Sequence, residues 1–423
     1  MTKLVLEDRD RRVLRGDDGR AKQLAMEIVV EMAEALQAPS LIDIESAHVD
    51  ACMYNGQAGL DFVELLESNG GQVTVPTTLN AGTLDLLHPE LRRADPELLL
   101  AARRQMDAYV AMGCQPTFTC APYLLPIRPA FGAHVAWAES NAIVFANSVL
   151  GARTDRYGDF FDICAALTGR VPWFGLHVTE NRRARAVFRL PRLKPRLLTE
   201  DSFFQVLGYL IGGLTGALIP AVTGLPPAAT EDQLRALGSA AASSGSVAMF
   251  HAIGVTPEAA DLDVALQGTQ PALEAGLTLE DLVSARDALN ISAGGPLSAV
   301  CVGAPHFSVE EFAALRSLLR GRSINAGVRL YASTGRHTMA EIQVRGWLAE
   351  LEALGVRFVT DTCTYFVPAL EFGGGVVMTN SAKWAHYAPG GLGVAVAFGS
   401  LGECVESAIA GRIEHDDDLW RAA

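Results

Sequence analysis

Seven cysteines give this sequence its widest choice of metal and redox chemistry. Five residues separate Cys114 from Cys120, whereas the ligand pairs of tetrahedral zinc sites typically enclose about two to four. Three thiolates from distant segments could instead hold an iron–sulfur cluster that leaves one iron open to substrate. The alternative is that these thiols are buried as small apolar side chains. Spacing alone leaves both interpretations open.

A second group of polar residues lies within an otherwise apolar stretch, residues 134–156. Buried polar groups are costly unless they are hydrogen-bonded, so these residues need partners. One interpretation is a structural network completed by Arg153 or Arg156. The other is a substrate cleft in which Arg153 binds a carboxylate and the side-chain amides bind a hydroxyl. The polar residues in question are Glu139, Ser140, Asn141, Asn147 and Ser148.

Further candidates lie close to predicted strands at 41–44, 72–75 and 297–302, or after the glycine-rich stretch 373–375. Ligands of open α/β sheets bind beyond the carboxyl ends of the strands, so polar residues at these positions are candidates for binding. Turn residues, hydrogen-bonded loop histidines and a surface lysine are the ordinary alternatives. The candidates are Thr77, Thr78, Asn80, His48, His306 and Lys383.

The C-terminal third of the chain shows the clearest pattern of elements. Apolar strands are predicted at 297–302, 327–331 and 356–360, with a helix in each interval. This βαβαβ order predicts a parallel sheet with crossover helices. Cys301 near the end of the first strand and Cys363 just after the third are therefore expected at the same edge of the sheet.

Capping motifs mark the predicted N-termini of the two helices in this region. Ser308 with Glu311, and Thr338 with Glu341, have the spacing of capping boxes. The second helix is predicted to present one apolar face. That face consists of Val344, Trp347, Leu348, Leu351 and Leu354. Near the N-terminus, a further helix is predicted over residues 21–35 from their content of Ala, Glu, Met and Leu.

Composition limits the class of protein. The 423 residues correspond to about three domains. Lys and Arg total 34 and Asp and Glu total 48, so the net charge of −14 argues against nucleic acid or an anionic membrane surface as the main partner. The first ten residues are charged and lack the apolar core of a signal peptide, which predicts a cytoplasmic location. The cysteines are then expected to be reduced.

Two other classes are disfavoured. Residues 202–230 carry no charge but are interrupted by glycines and prolines, so a buried Gly-rich helix packed against a neighbour is expected rather than a membrane span. The motifs of phosphate-binding loops, dinucleotide-binding turns and serine-hydrolase elbows are absent from fitting contexts. The residues alone therefore predict an α/β enzyme with a polar cleft that could bear a metal.

Several short segments, in order along the chain, resemble the catalytic large subunit of the aconitase X family. Each is weak alone, but the series spans nearly the whole chain and is specific. The segments are 13–16, 76–80, 119–123, 137–140 continuing to 151–154, 303–308, 361–363 and 379–383.

The resemblance implies an α/β fold, an aconitase-like multidomain body with parallel βαβ sheets that lacks the small swivel domain. It also implies a hydro-lyase whose three cysteines, matched by Cys120, Cys301 and Cys363, hold an iron–sulfur cluster ([2Fe-2S] or [4Fe-4S]) or a mononuclear iron. Cys114 is the alternative to Cys301 as the third ligand. We expect domain boundaries at 228 and 366, with residues 367–423 packing back on the cleft.

Family members resemble either cis-3-hydroxy-L-proline dehydratase or phosphomevalonate dehydratase, and the Ala-, Arg- and Leu-rich composition favours the first. A non-catalytic iron–sulfur sensor is the alternative from another class. The expected partner is a small swivel-domain subunit that carries a catalytic serine, because the chain ends at Ala423.

The expected roles follow from the reaction. Arg153 and Lys383 would bind the carboxylate of a hydroxy amino acid. Either the partner's serine or His48 would take the proton. Substrate-orienting roles are expected for Thr77, Thr78, Asn80, Glu139, Ser140, Asn141, Asn147, Ser148 and His306.

Overall fold

The computed structural model describes residues 4–91, 95–291, 294–365 and 370–421. The chain divides into two compact units. The first unit comprises Met1–Leu84 and Ala94–Arg183, and the second comprises Asp85–Arg93 and Ala184–Ala423. The predicted boundary at 228 falls between two elements of one sheet in the second unit, and the predicted boundary at 366 lies outside the described residues.

The first unit combines helices with two small sheets. Strands β3-β2-β4 form a parallel three-stranded sheet, and β1 pairs with β5 in an antiparallel ribbon. Every residue of α6 is buried, which is typical of a helix enclosed by the core. The elements are α1 Asp8–Leu14, α2 Arg20–Ala35, β1 Leu41–Asp43, β2 Ala47–Val49, α3 Gln57–Ser68, β3 Thr77–Leu79, α4 Pro96–Ala111, β4 Ala136–Trp137, α5 Ser140–Phe145, α6 Phe161–Thr168 and β5 Arg170–Pro172.

The second unit contains two parallel sheets, ordered β8-β7-β6-β9 and β12-β11-β10-β13-β14. The elements of the first sheet and its helices are β6 Ala186–Arg189, α7 Asp201–Thr215, β7 Pro220–Thr223, α8 Glu231–Ser244, β8 His251–Ala252, α9 Leu262–Leu266, β9 Leu273–Gly276 and α10 Leu279–Ala288. Those of the second are β10 Leu297–Val302, α11 Val309–Leu319, β11 Arg329–Ser333, α12 Arg336–Val344, α13 Trp347–Ala353, β12 Val356–Val359, β13 Val376–Thr379, α14 Ala382–Leu392, β14 Val396–Phe398 and α15 Leu401–Ala410.

The parallel α/β architecture predicted for the C-terminal third is confirmed. Strands β10, β11 and β12 pair in parallel, and Ser308 with Glu311 forms the predicted capping box of α11. The uncharged stretch 202–230 contains α7, which packs on α8 at Gly208 and Gly212, where a Cβ atom would collide with the α8 backbone. No helix in the described ranges is long and apolar enough to cross a membrane.

The strand predicted at 41–44 is present at Leu41–Asp43, where it pairs antiparallel with β5. Two other local predictions were wrong. The strand expected at 72–75 begins later, at Thr77. The helix after β11 is capped at Gly335 rather than Thr338, and it ends before Gly346, whose φ is +76°. Val344, expected in the apolar face, is 88% exposed, because the break separates it from that face.

Candidate functional site

Three parallel strands of the first unit end in polar residues at a common edge. Asn80 follows β3, Asp50 follows β2, and Glu139 lies two residues after β4. The amide nitrogen Nδ2 of Asn80 donates a hydrogen bond to Asp50 Oδ1 and lies 3.5 Å from Glu139 Oε2. The carboxyl edge of a parallel sheet is where α/β proteins bind ligands, so this cluster is a candidate substrate site.

Glu139 organises the neighbouring helix. As the N-cap of α5 it accepts hydrogen bonds from the backbone N–H of Asn141 at 3.1 Å and from the hydroxyl of Ser140 at 3.2 Å. The side chain of Asn141 donates to Glu139 Oε1 at 2.5 Å and to the carbonyl of Cys120 at 2.9 Å. It also accepts a hydrogen bond from the hydroxyl of Tyr123. Cys120, which is half-buried, is therefore held at the same edge.

His48 lies on β2, opposite Thr78 of β3 in the strand register. Its Nδ1 is 2.8 Å from the hydroxyl oxygen of Thr78, and its ring packs edge-on against Trp137. Complete burial lowers the pKa of His48 to about 4, although Glu139 and the backbone of Thr119 act in the opposite direction. The imidazole is therefore neutral near pH 7 and a weak base.

Acidic groups surround this edge. Asp162, at the start of α6, accepts a hydrogen bond from the backbone N–H of Asp50 at 2.6 Å. Burial raises the pKa of Asp162 to about 7. Burial also raises the pKa of Asp50, and repulsion by Glu139, Asp159 and Asp162 adds to this increase. Carboxyls with strongly raised pKa values at a sheet edge are typical of functional sites.

The remaining candidates of the first unit have structural partners. Thr77 Oγ1 donates to the carbonyl of Val75 at 2.9 Å. Asn147 bonds both the N–H and the carbonyl of Thr154, and its Oδ1 accepts from Arg182.

Arg153 Nη1 donates to the carbonyl of His177 at 2.8 Å and to the hydroxyl of Thr179 at 2.9 Å. Ser148 is buried in the π-helical turn that follows α5. These contacts favour the structural interpretation of residues 146–154 over a substrate contact.

The second unit has a comparable edge on its five-stranded sheet. The strand order reverses between β10 and β13, and such reversal points open a crevice for ligands. His306, in the loop after β10, is buried, and its carbonyl accepts from Arg235 at 3.1 Å. The hydroxyl of Ser381, after β13, donates to the carbonyl of Ala304 in the same loop.

Arg336 and Asp85 anchor the loop that carries Cys363. Asp361 Oδ1 and Oδ2 accept hydrogen bonds from Arg336 Nε and Nη2, both at 2.7 Å. Asp85 accepts from the backbone N–H of Thr360 at 2.8 Å. Burial raises the pKa of Asp361, and Arg336 opposes this increase. The half-buried Cys363 is thus held on a rigid loop at the end of β12.

Lys383 lies near this loop in the first turn of α14. It is buried, and its Nζ lies 5.9 Å from the ring centroid of Tyr365. The indole N–H of Trp384 donates to Thr364 at 3.1 Å, which fixes the loop against the helix. A lysine at a helix N-terminus faces the positive end of the helix dipole, so its charge does not stabilise α14.

Cys301 and Cys114 differ from the loop cysteines. Cys301 lies within the fully buried strand β10, and burial raises the pKa of its thiol. Cys301 alternates along β10 with Val300 and Val302, which pack in the core cluster that contains Cys404 of α15, so its side chain lies on the opposite face of the sheet. Burial likewise raises the pKa of Cys114 to about 12. A metal deprotonates the thiol that coordinates it, so both positions stay candidates for the third ligand.

Cys120, Cys301 and Cys363 stay the predicted ligands of an iron centre, with Cys114 as the alternative to Cys301. Within the described ranges, no three His, Cys, Asp or Glu side chains form a group that could hold a metal ion. Cys301 is the penultimate residue of β10 and Cys363 follows β12, so both lie near the carboxyl ends of strands in the same sheet.

Sequence reasoning missed Asp50 and Asp162. Asp50 follows β2 just as Asn80 follows β3, but β2 is only three residues long and has no alternating pattern to reveal it. A strand at 47–49 would have marked Asp50 as the counterpart of Asn80. Asp162 is separated from Asp50 by more than a hundred residues and only the packing of α6 brings them together.

Comparisons with known proteins agree with this architecture. Family models described as the aconitase X first, second and third domains match residues 3–180, 184–287 and 297–410. A solved structure described as aconitase X of Thermococcus kodakaraensis in its holo-form superposes with a TM-score of 0.85 at 30% identity, covering 96% of this chain and 100% of that one.

Curated relatives include two proteins named cis-3-hydroxy-L-proline dehydratase. That of Pseudomonas aeruginosa is 45% identical over 97% of this chain and 71% of its own length, and that of Hypocrea jecorina is 43% identical over 96% and 69%. The phosphomevalonate dehydratase large subunit of Methanothermobacter thermautotrophicus is 36% identical over 93% of this chain and 96% of its own length. The chain belongs to the aconitase X family.

Proposed function

We propose that this protein dehydrates cis-3-hydroxy-L-proline to Δ1-pyrroline-2-carboxylate. The observation that carries this proposal is the 45% identity to a cis-3-hydroxy-L-proline dehydratase along 97% of the chain. The reaction removes the proton on the carbon that bears the carboxylate and expels the hydroxyl from the neighbouring carbon as water. The enamine that remains tautomerises to the cyclic imine.

An iron or iron–sulfur centre held by Cys120, Cys301 and Cys363 is part of the proposal, with Cys114 as the alternative to Cys301. When bound, it would supply Lewis acidity toward the hydroxyl that leaves. The support from this structure is that Cys120 and Cys363 are half-buried on loops at carboxyl edges of parallel sheets. The pairing of Asp361 with Arg336 orders the loop that carries Cys363.

The substrate roles are assigned to side chains at the two edges. Lys383 is assigned to the carboxylate, since a buried ammonium at a helix start gains most from an anionic ligand. Asn80, Thr78 and Ser140 are assigned to orienting the ring. Asn141 is assigned to holding Glu139 and the Cys120 loop, because its side chain donates to both.

A small swivel-domain subunit that carries a catalytic serine is the proposed partner. The support is that relatives matched over 93–97% of this chain and 96–98% of their own length are named large subunits. His48 is a poor candidate for the base, because burial lowers its pKa to about 4. A cytoplasmic location is also proposed, since all seven cysteines, each within the described ranges, are thiols rather than disulfides, as expected in a reducing compartment.

The test is co-expression with the adjacent small open reading frame, followed by assays of both candidate substrates. We expect pyrroline-2-carboxylate to form from cis-3-hydroxy-L-proline. If only phosphomevalonate is dehydrated, phosphomevalonate is the substrate instead. The observation that favours this alternative is that the match covers 96% of the length of a phosphomevalonate dehydratase large subunit. An iron chromophore without turnover of either substrate would leave the sensor interpretation.

A further inference from the structure

The edge of the first unit contains a buried acceptor that the fold leaves without a partner. Oδ1 of Asn80 is buried, and it has no hydrogen-bond partner among the residues that the structure describes. The whole side chain is 5% exposed. An unsatisfied buried oxygen costs about 1–3 kcal/mol, so a site that keeps one is built to receive a donor.

The orientation of this amide is determined by its neighbours. Its nitrogen faces two carboxyls, Asp50 and Glu139. Rotating the amide by half a turn would place its oxygen against both carboxyls, which is repulsive. Asn80 therefore offers an acceptor, and any ligand that meets it must carry an N–H or O–H group.

The side chains around this acceptor are acidic. Asp50 is half-buried, and neither it nor the exposed Asp159 forms a salt bridge within the described part of the chain. Asp162, Asp159 and Glu139 all raise the pKa of Asp50 by repulsion, so they lie within electrostatic reach of it. A cation would relieve that repulsion, whereas a phosphate or a carboxylate would increase it.

We propose that Asp50 and Asn80 form the subsite that binds the protonated amine of the substrate. The ring ammonium of a cyclic amino acid would donate one N–H to Asn80 Oδ1 and lie against the carboxylate of Asp50. This inference rests on the proposed function in taking the substrate to be an amino acid. The subsite then selects for hydroxyproline and against phosphomevalonate, which has no amine and carries a phosphate.

The experiment compares two ligands that differ in this group. L-Proline carries the ring ammonium, and cyclopentanecarboxylate has a methylene in its place. Calorimetric titration of the purified complex with its small subunit should show L-proline binding at least about tenfold more tightly. In Asp50→Asn this preference should fall by about 10- to 100-fold through weaker binding of L-proline, with cyclopentanecarboxylate little affected.

The matched control is Asp107→Asn, which removes an exposed carboxyl on α4 whose partner is Arg103. This control should keep the preference for L-proline over cyclopentanecarboxylate. Asp159→Asn, which alters an exposed side chain, should also weaken L-proline binding, by a smaller factor than Asp50→Asn. It replaces Asp50→Asn as the test if that variant does not fold. An unchanged preference in both variants, or no preference in the unmodified protein, would refute the subsite.

Ligand binding and substrate turnover are measured independently. Titration with L-proline needs no dehydration, so an ammonium preference lost in Asp50→Asn would stand even if hydroxyproline were not turned over. Turnover of hydroxyproline without an ammonium preference would leave the proposed function intact and remove this subsite.

Discussion

Asn80 and Asp50 follow adjacent parallel strands, and the side-chain amide of Asn80 donates a hydrogen bond to the carboxyl of Asp50. The pair is thirty residues apart in sequence and is joined only by the register of β2 with β3. A one-residue slip of either strand would turn one of the two side chains away from the other. The site therefore depends on this register as much as on residue type.

Replacing a cysteine on a loop and replacing a cysteine in the core should have different effects on the iron content of the protein. Cys363→Ala should abolish both the iron content and the visible absorption of anaerobically purified protein, because it removes a loop thiolate. Cys404→Ala should retain both, since its thiol is buried in the core between the five-stranded sheet and α15. Metal analysis and absorption spectra make the comparison. Equal losses in both variants would contradict the role of the loop thiolate, and full activity of metal-free Cys363→Ala would exclude the iron proposal.

Arg336→Ala should destabilise the loop that carries Cys363. It leaves the fully buried Asp361 without its bidentate partner, which costs about 3 kcal/mol. Denaturant unfolding should show a lower midpoint together with reduced iron content. Arg345→Ala is the control, because its pair with Glu341 is exposed on the same helical segment and contributes little. Similar midpoints for the two variants would contradict the anchoring role.

The pH dependence of stability should reflect Asp162. Burial raises its pKa to about 7, whereas an unfolded aspartate titrates near about 3.9. Between these values the folded state binds a proton that the unfolded state has lost, so the free energy of unfolding falls as pH rises from about 4 to about 7. The full difference is about 4 kcal/mol at most.

Asp162→Asn should flatten this dependence, because the amide does not titrate. Urea unfolding at pH 5 and pH 7.5 measures it, with Asp107→Asn as the exposed control. An equally steep dependence in Asp162→Asn would show that other groups are responsible.

The contact between α7 and α8 should tolerate no side chain at Gly208. A Cβ there would collide with the carbonyl of Leu237, so Gly208→Ala should lower the free energy of unfolding by about 1–3 kcal/mol. Gly213 of the same helix has open space around its Cβ position. Gly213→Ala should therefore raise stability by about 0.5–1 kcal/mol through helix propensity. Thermal melts of the two variants should shift in opposite directions.

The sequence alone determined those features that depend on neighbours along the chain. The capping box of Ser308, the strands of the parallel sheet and the helix near residues 21–35 follow from local period and composition, and the structure contains them. Glu139 was identified because polar residues amid apolar ones require partners, and Asn80 because it follows a predicted strand. Even so, the helix break at Gly346 escaped prediction, since the apolar period continues across it.

Only the tertiary structure decided which residues meet. Asp50 and Asp162 join Asn80 because β2 pairs with β3 and α6 packs beneath β2. Cys301 faces away from α15 because side chains alternate along β10 and its neighbours Val300 and Val302 pack in the cluster that contains α15. The physical reason is that strand register and helix packing minimise the free energy of the whole fold, and no short segment of the chain contains that information.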